Sequence, residues 1–402
     1  MAGRTFAEKV LSAKSGTLSH AGDFVVCYPD MILGTDGSTP TAIDLFEQMG
    51  ASTVLHPDRV LLSQDHYSPP TSEATRGFHD LMAAFASQHG VELLAVGEGI
   101  GFRVAVETGR VRPGDLVVGA DSHTVTCGAV GAFATGIGST DLAAAFLTGQ
   151  VWLRLPETIR VELRGSLPPA VCAKDVGLEI VHRFGSEGAS YKALEFVGSA
   201  AESFSPDARS VISNMSAETG AKIGVFPTLE WCSDDDAEFS DELQIDCSTL
   251  QPLVAVPHDP ANCVPVPEVT GTPIDWVFLG TCIGGQADDL QVALRVLENV
   301  GISDTVTVVV TPSSGKARSA LEQDGSLARF ESLGAIVTET GCGPCCGTSP
   351  PIPPPNATVL STANRNFQGR MGQPSAAIYL ASPLTCAAAA GAGLVVDPRE
   401  VT

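Results

Sequence analysis

Five short apolar runs in this chain each lead straight into a polar cluster, and that repeated placement constrains the fold more than any single motif. Arg59-Val60-Leu61-Leu62 runs into Gln64-Asp65-His66, and Leu116-Val117-Val118 into Asp121-Ser122-His123-Thr124. Trp276-Val277-Phe278-Leu279 runs into Gly280-Thr281-Cys282, Ala335-Ile336-Val337 into Gly341-Cys342-Gly343-Pro344-Cys345-Cys346-Gly347, and Thr358-Val359-Leu360 into Ser361 through Arg370. Open parallel sheets place their ligand groups at the carboxyl ends of strands, so one crevice collecting all five clusters is expected. Helical stretches alternate with the runs, the pattern of βαβ units. After Gly285, for example, QADDLQVALRVLENVG carries Asp288 and Asp289 in a first turn, apolar residues at helical spacing and a stop at Gly301. The predicted class is α/β with mostly parallel sheets.

At 402 residues and 44% hydrophobic content the chain can bury two or three cores without staples. Composition shifts after Trp152, at LPETIRVELRG, and at DPANCVPVPEVTGTP, which predicts domains over 1–155, 156–268 and 269–402. A net charge of -23 with no basic patch argues against nucleic acid and against anionic membrane surfaces as partners. The eleven cysteines are an odd number, and MAGRTFAEKVLSAKSG offers no apolar signal core; a reducing cytoplasm is expected rather than a disulfide scaffold. The uncharged run from Ala376 to Val396 contains Ser382, Pro383 and Thr385 in a weakly apolar Ala/Gly tract, and reads as a buried helix and loop, not a membrane span. The Pro-rich tract from Ser349 to Pro355 reads as a stiff surface loop.

Cys342 and Cys345 form a C-x-x-C within a Gly/Pro loop that can aim two thiolates at one metal centre, and Cys282 can add a third from another strand end. The rivals are a redox dithiol and a zinc half-site; no thioredoxin pattern, second C-x-x-C or nearby histidine supports either. Three ligands suit an iron-sulfur cluster with one open iron. Asp65-His66 and Asp121-Ser122-His123 supply imidazoles beside carboxylates, which fix a tautomer and raise basicity for proton transfer. Arg365 and Arg370 offer guanidinium forks suited to an acidic substrate. Each of these has a plainer reading, as satisfied strand-end histidines or surface ion pairs, and their weight comes from coinciding at the same kind of place.

In order, the segments GDFVVCYPDMILGTDG, QDHYSPP, VRPGDLVVGADSHT, GAVGAFATGIGSTDLA, GASYKALEFVG, NMSAETGAKIGVFP, VAVPHDPANCVPVPEV, GCGPCCG and STANRNFQGRMG cover almost the whole chain. Together they resemble the aconitase superfamily, in particular the large subunits of its isopropylmalate isomerase and homoaconitase branch. The resemblance implies a three-domain α/β/α architecture lacking the swivel domain. It implies a 4Fe-4S cluster on Cys282, Cys342 and Cys345, supported by Asn214 and Asn364, with a free iron acting as Lewis acid. It implies that His66, beside Asp65 and paired with Asp121, protonates a leaving hydroxyl, that His123 pairs with Glu218, and that Ser122, Arg365, Arg370 and Asp36 face a small hydroxy di- or tricarboxylic acid. The activity implied is a hydro-lyase or isomerase of the 3-isopropylmalate, alkylmalate or homocitrate type, completed by a small swivel-domain subunit that carries a serine base absent here.

Three departures stand out. Phe102 replaces a family histidine in Gly99-Ile100-Gly101-Phe102-Arg103, leaving Arg103 or a cluster-bound water as the expected second partner of Asp65. Ile283-Gly284-Gly285 replaces Thr-Asn-Ser after Cys282, and Thr35 stands where a Gln-like substrate contact is expected. These changes leave room for a specialised dehydratase acting on a modified malate or citrate and for a non-catalytic relative. An RNA-binding role after cluster loss, known for some relatives, conflicts with the negative charge.

Overall fold

The computed structural model describes residues 3–401. Its first large sheet has five parallel strands in the order Glu92–Leu94, Val60–Ser63, Met31–Thr35, Leu116–Gly119, Phe133–Gly136. A second has four parallel strands, Ile223–Val225, Ala193–Val197, Thr158–Arg164 and Asp241–Asp246. A third has seven, ordered Cys263–Pro265, Leu253–Ala255, Ala377–Ala381, Thr358–Ser361, Trp276–Gly280, Thr307–Thr311, Ile336–Val337; it is parallel except at the first two pairings. A separate antiparallel ribbon pairs Phe24–Cys27 with Val151–Arg154.

Alternation along the strands explains how the layers meet. Successive side chains of a strand point to opposite faces. Leu33, Leu61, Val117, Phe278, Val309 and Val359 enter one shared core, which also takes in the second sheet and the cysteines Cys282, Cys342 and Cys345. Their neighbours Ile32, Leu62 and Val118 fill a core on the outer side of the first sheet, and Val277, Leu279 and Val310 fill one outside the third. Strands buried on both faces read as continuous apolar runs, which is why they are visible in the sequence. The helix Ala287–Val300 follows Cys282 as its spacing predicts and ends at Gly301.

Two details differ from the sequence reading. The strands Leu253–Ala255 and Cys263–Pro265 belong to the third sheet, so that sheet begins before residue 269, because main-chain pairing with Ala377–Ala381 outweighs the Pro-rich composition of the segment. The run from Ala376 opens as the strand Ala377–Ala381 and only then becomes the buried helix Pro383–Ala392. Among the described residues no helix is long and apolar enough to cross a membrane.

Candidate functional site

The carboxyl ends of the parallel strands carry the polar clusters, as expected. Beyond Ser63, the turn holding Asp65 and His66 is fixed from behind by Asp36, whose Oδ1 accepts from the His66 amide at 2.8 Å and whose Oδ2 accepts from the Tyr67 amide at 3.0 Å. Asp36 Oδ2 also meets His79 Nε2 at 2.8 Å. With its oxygens so engaged and its side chain buried, Asp36 supports the His66 turn in this structure.

His66 Nδ1 lies 2.8 Å from Asp65 Oδ1, and its Nε2 lies 3.6 Å from Asp121 Oδ2. Asp65 is therefore the close partner and Asp121 the longer one. Burial pulls the imidazole down, but Asp65, Cys346 and Asp121 outweigh it and hold His66 well above its ordinary value. The place of the missing histidine at Phe102 is not taken by Arg103: Asp65 Oδ2 accepts from Ser63 Oγ and from the Gly101 amide, both at 2.9 Å. Arg103 instead pairs with Asp207 at 3.0 Å and Glu107 at 3.3 Å.

Asp121 caps the 3-10 helix Ser122–Val130, accepting from the His123 amide at 2.7 Å. Burial raises its carboxyl, but the hydrogen bonds of His123 and the nearby His66 hold it far below the usual range. His123 Nε2 lies 2.8 Å from Glu218 Oε1, and Arg365 Nε donates to both Glu218 oxygens at 3.1 and 2.9 Å. The Nη groups of Arg365 donate to no described residue, leaving donors free for an anion. Ser122 is exposed and lines a groove of about 470 Å³ with Trp152, Tyr191 and Lys222.

The cysteines converge from two strand ends. Asn214 Nδ2 donates to Cys282 Sγ at 3.2 Å and Asn364 Nδ2 at 3.4 Å, while Asn364 Nδ2 also reaches Asn214 Oδ1 at 3.0 Å. Cys342 heads a one-turn helix, Gly343–Cys346, and its amide donates to Asp65 O at 2.7 Å. That bond ties the cysteine loop to the His66 turn. Arg370 Nη2 lies 3.6 Å from Cys345 Sγ, so Arg370 faces the sulfur. The Cys345 thiol is pulled down by its bond to Cys342 with help from Arg370, whereas burial pushes Cys282 up to about 12.

The donor set fits an iron-sulfur cluster. Among the described residues the set of three His, Cys, Asp or Glu ligand atoms that closes within 4.8 Å is Asp36, Asp65 and His66. The thiols of Cys282, Cys342 and Cys345 are spread more widely than a single tetrahedral ion with bonds of about 2.3 Å requires. Buried thiols met by amide and guanidinium donors are what a multi-iron centre needs, and the buried Asn364 Oδ1 and Thr281 Oγ1 have no partner of their own.

The model of the aconitase family (aconitate hydratase) matches residues 8–231 and 267–393. The chain belongs to the aconitase family. Membership places it among the hydro-lyases, and close relatives cover it from end to end. It is 42% identical to a 3-isopropylmalate dehydratase large subunit of Methanopyrus kandleri and 42% identical to one of Thermotoga maritima, with 99% of each chain covered in both cases. To the homoaconitase large subunit of Thermus thermophilus it is 39% identical, over 99% of this chain and 98% of the other. The solved aconitase X of Thermococcus kodakaraensis superposes with a TM-score of 0.54 at 12% identity, covering 90% of this chain and 88% of that one; that likeness bears on the fold alone, which is aconitase-like.

Reading the sequence missed Ser63, His79, Thr126 and Lys174. His79 had a signal, since His79, Met82 and Ala86 share the buried face of the helix Glu73–His89. Thr126, whose Oγ1 accepts from Asn214 Nδ2 at 2.9 Å, and Lys174, which reaches Thr362 and Ala363, had none, because those partners are distant in the chain.

Proposed function

We propose that this chain is the large subunit of a 4Fe-4S hydro-lyase of the 3-isopropylmalate or homocitrate type, acting with a small swivel-domain subunit. The observation that carries the reading is the convergence of a His66-Asp65 pair, a His123-Glu218-Arg365 chain and three cysteines on one crevice. When bound by Cys282, Cys342 and Cys345, the cluster supplies a Lewis acid for the substrate's hydroxyl. His66, kept protonated by Asp65, delivers the proton that lets the hydroxyl leave as water. Asp65 fixes the tautomer, since its bond to Nδ1 leaves Nε2 facing Asp121. Arg365, with Nε held by Glu218, presents its remaining donors to a carboxylate. Asn214 and Asn364 direct N–H groups at Cys282. Ser122 and Arg370 are assigned to the substrate side, with Arg370 shared by Cys345.

The names of the relatives support the pairing with a small subunit, which in this reading brings the base that removes the proton next to a carboxylate. The test is turnover. Chain reconstituted anaerobically with iron and sulfide should be nearly inactive towards 3-isopropylmalate and homocitrate alone, and active on one of them once a small subunit is added. A loaded complex that hydrates neither alkene nor dehydrates either hydroxy acid overturns the assignment.

A further inference from the structure

Lys174 is buried to 3% exposure at the start of the helix Ala173–Phe184, which connects two strands of the second sheet, and what it holds belongs to the third. Its Nζ donates to the carbonyls of Ala363 at 2.6 Å and Thr362 at 3.2 Å, with Met215 Sδ at 3.6 Å. Among the described residues no carboxylate forms an ion pair with it. The adjacent Asp175 turns away, its oxygens accepting from the amides of Cys172 and Leu253, both at 2.9 Å. Taking an ammonium out of water costs several kcal/mol as an order of magnitude unless anionic charge lies close. Burial pulls the Lys174 ammonium down to about 8, opposed first by Cys386 and then by Cys282, Glu218 and Cys263; of these, Cys282 and Glu218 are members of the candidate site.

The two carbonyls it grips immediately precede Asn364 and Arg365. Asn364 directs its amide at Cys282 Sγ, and Arg365 is locked on Glu218. Thr362 is also the wall against which the Cys282 loop rests, since its Oγ1 accepts from the Gly280 amide at 2.9 Å. Fixing the peptide planes at residues 362 and 363 sets the direction in which the next two side chains leave the backbone.

We infer that Lys174 is a positioning residue for the cysteine-lined site, which orients Asn364 and Arg365 through the Thr362 and Ala363 carbonyls and supplies a resident positive charge beside the Cys282 side of the cluster. This rests on the reading that the site holds an iron-sulfur cluster. Outer partners of metal ligands typically change metal affinity by about 10- to 100-fold when removed. Lys174→Met should therefore bind the cluster about 10- to 100-fold more weakly, read as iron release to a chelator under anaerobic conditions, and should lower its midpoint potential because a nearby cation favours the reduced form. Lys174→Arg, which keeps the charge, should retain most of the potential while losing part of the affinity.

The experiment compares wild type, Lys174→Met, Lys174→Arg, Asn364→Ala and the Lys174→Met/Asn364→Ala double variant, each loaded anaerobically, with apo near-ultraviolet circular dichroism as the control for folding. If Lys174 acts through Asn364, the double variant should release iron little faster than Asn364→Ala. Equal iron release and an unshifted potential in a folded Lys174→Met protein overturn the inference. Additive losses in the double variant overturn the route through Asn364. If Lys174→Met does not fold, Lys174→Gln is read by the same criteria. Failure of the wild type to take up iron and sulfide counts against the cluster reading instead, which keeps the two outcomes apart.

Discussion

In the proposed reading His66 is the acid of the site, and its environment allows a magnitude to be stated. A positioned imidazolium contributes about 10²- to 10⁴-fold to a proton-transfer step, or roughly 3 to 5 kcal/mol. His66→Ala should lower kcat of the complete enzyme by about that factor while iron content stays at the wild-type level; full activity with a full cluster would remove His66 from the mechanism. Asp65→Asn should lower the rate too, since it withdraws the charge that holds the imidazole protonated, and the Asp65→Asn/His66→Ala pair should be little worse than His66→Ala because the two act as a unit. Below the site, Asp36→Asn removes one of two acceptors for the His66 and Tyr67 amides, and should cost about 1 to 3 kcal/mol in denaturant unfolding. Adjacency made Asp65 and His66 legible in the sequence. The support Asp36 gives was not legible, because its partners include main-chain amides some thirty residues on, and a one-dimensional pattern shows no amide turning toward a buried carboxylate.

At the scale of elements, the loop between the strand Trp276–Gly280 and the helix Ala287–Val300 shows why this chain carries a glycine two residues after Cys282. Gly284 sits at φ +87°, and a Cβ there would lie 2.4 Å from Thr362 Oγ1 and 2.5 Å from Thr362 Cβ. A side chain at this position needs both a left-handed backbone and space that Thr362 already fills. Gly284→Ala should destabilise the protein by about 1 to 3 kcal/mol and lower the iron retained after desalting; unchanged stability and iron would show that the loop relaxes freely. Gly284→Asn, which restores the family residue, should be worse than Gly284→Ala because the added amide deepens the same clash. The strands flanking this loop were legible as apolar runs, and the helix from its spacing and its acidic first turn. The reason for the glycine was not, because the wall it meets comes from a strand about eighty residues later.

Across the whole molecule, the three sheets are held in register by buried polar seams, and one of them gives a pH signature. Asp175, whose oxygens accept from the Cys172 and Leu253 amides, is pushed by burial up to about 6. An unfolded carboxyl titrates near 3.9, so between those values the folded state binds more protons than the unfolded one. Stability from this group is present below about pH 4 and is lost as pH rises through about 6, a total of about 3 kcal/mol. Asp175→Asn exchanges no proton, so the stability of wild type relative to the variant should fall between about pH 4 and about pH 7 in urea titrations of the apo-protein; a constant difference would mean Asp175 is ionised in both states. The architecture of parallel sheets was readable from the runs, and the crevice from where the clusters begin. The seams were not, because Lys174 and Asp175 meet partners on another sheet. The His66 turn is closed by the most distant parts of the chain: Ser68 Oγ donates to Thr340 O at 2.8 Å, Ser349 Oγ to Pro69 O at 2.9 Å, and Thr348 Oγ1 to His66 O. During synthesis, then, the turn is made early and waits, unpinned, until residues 340–349 have left the ribosome, so on the proposed reading a nascent chain stalled before the cysteine loop, with Cys282 alone of the three ligands, should keep little iron.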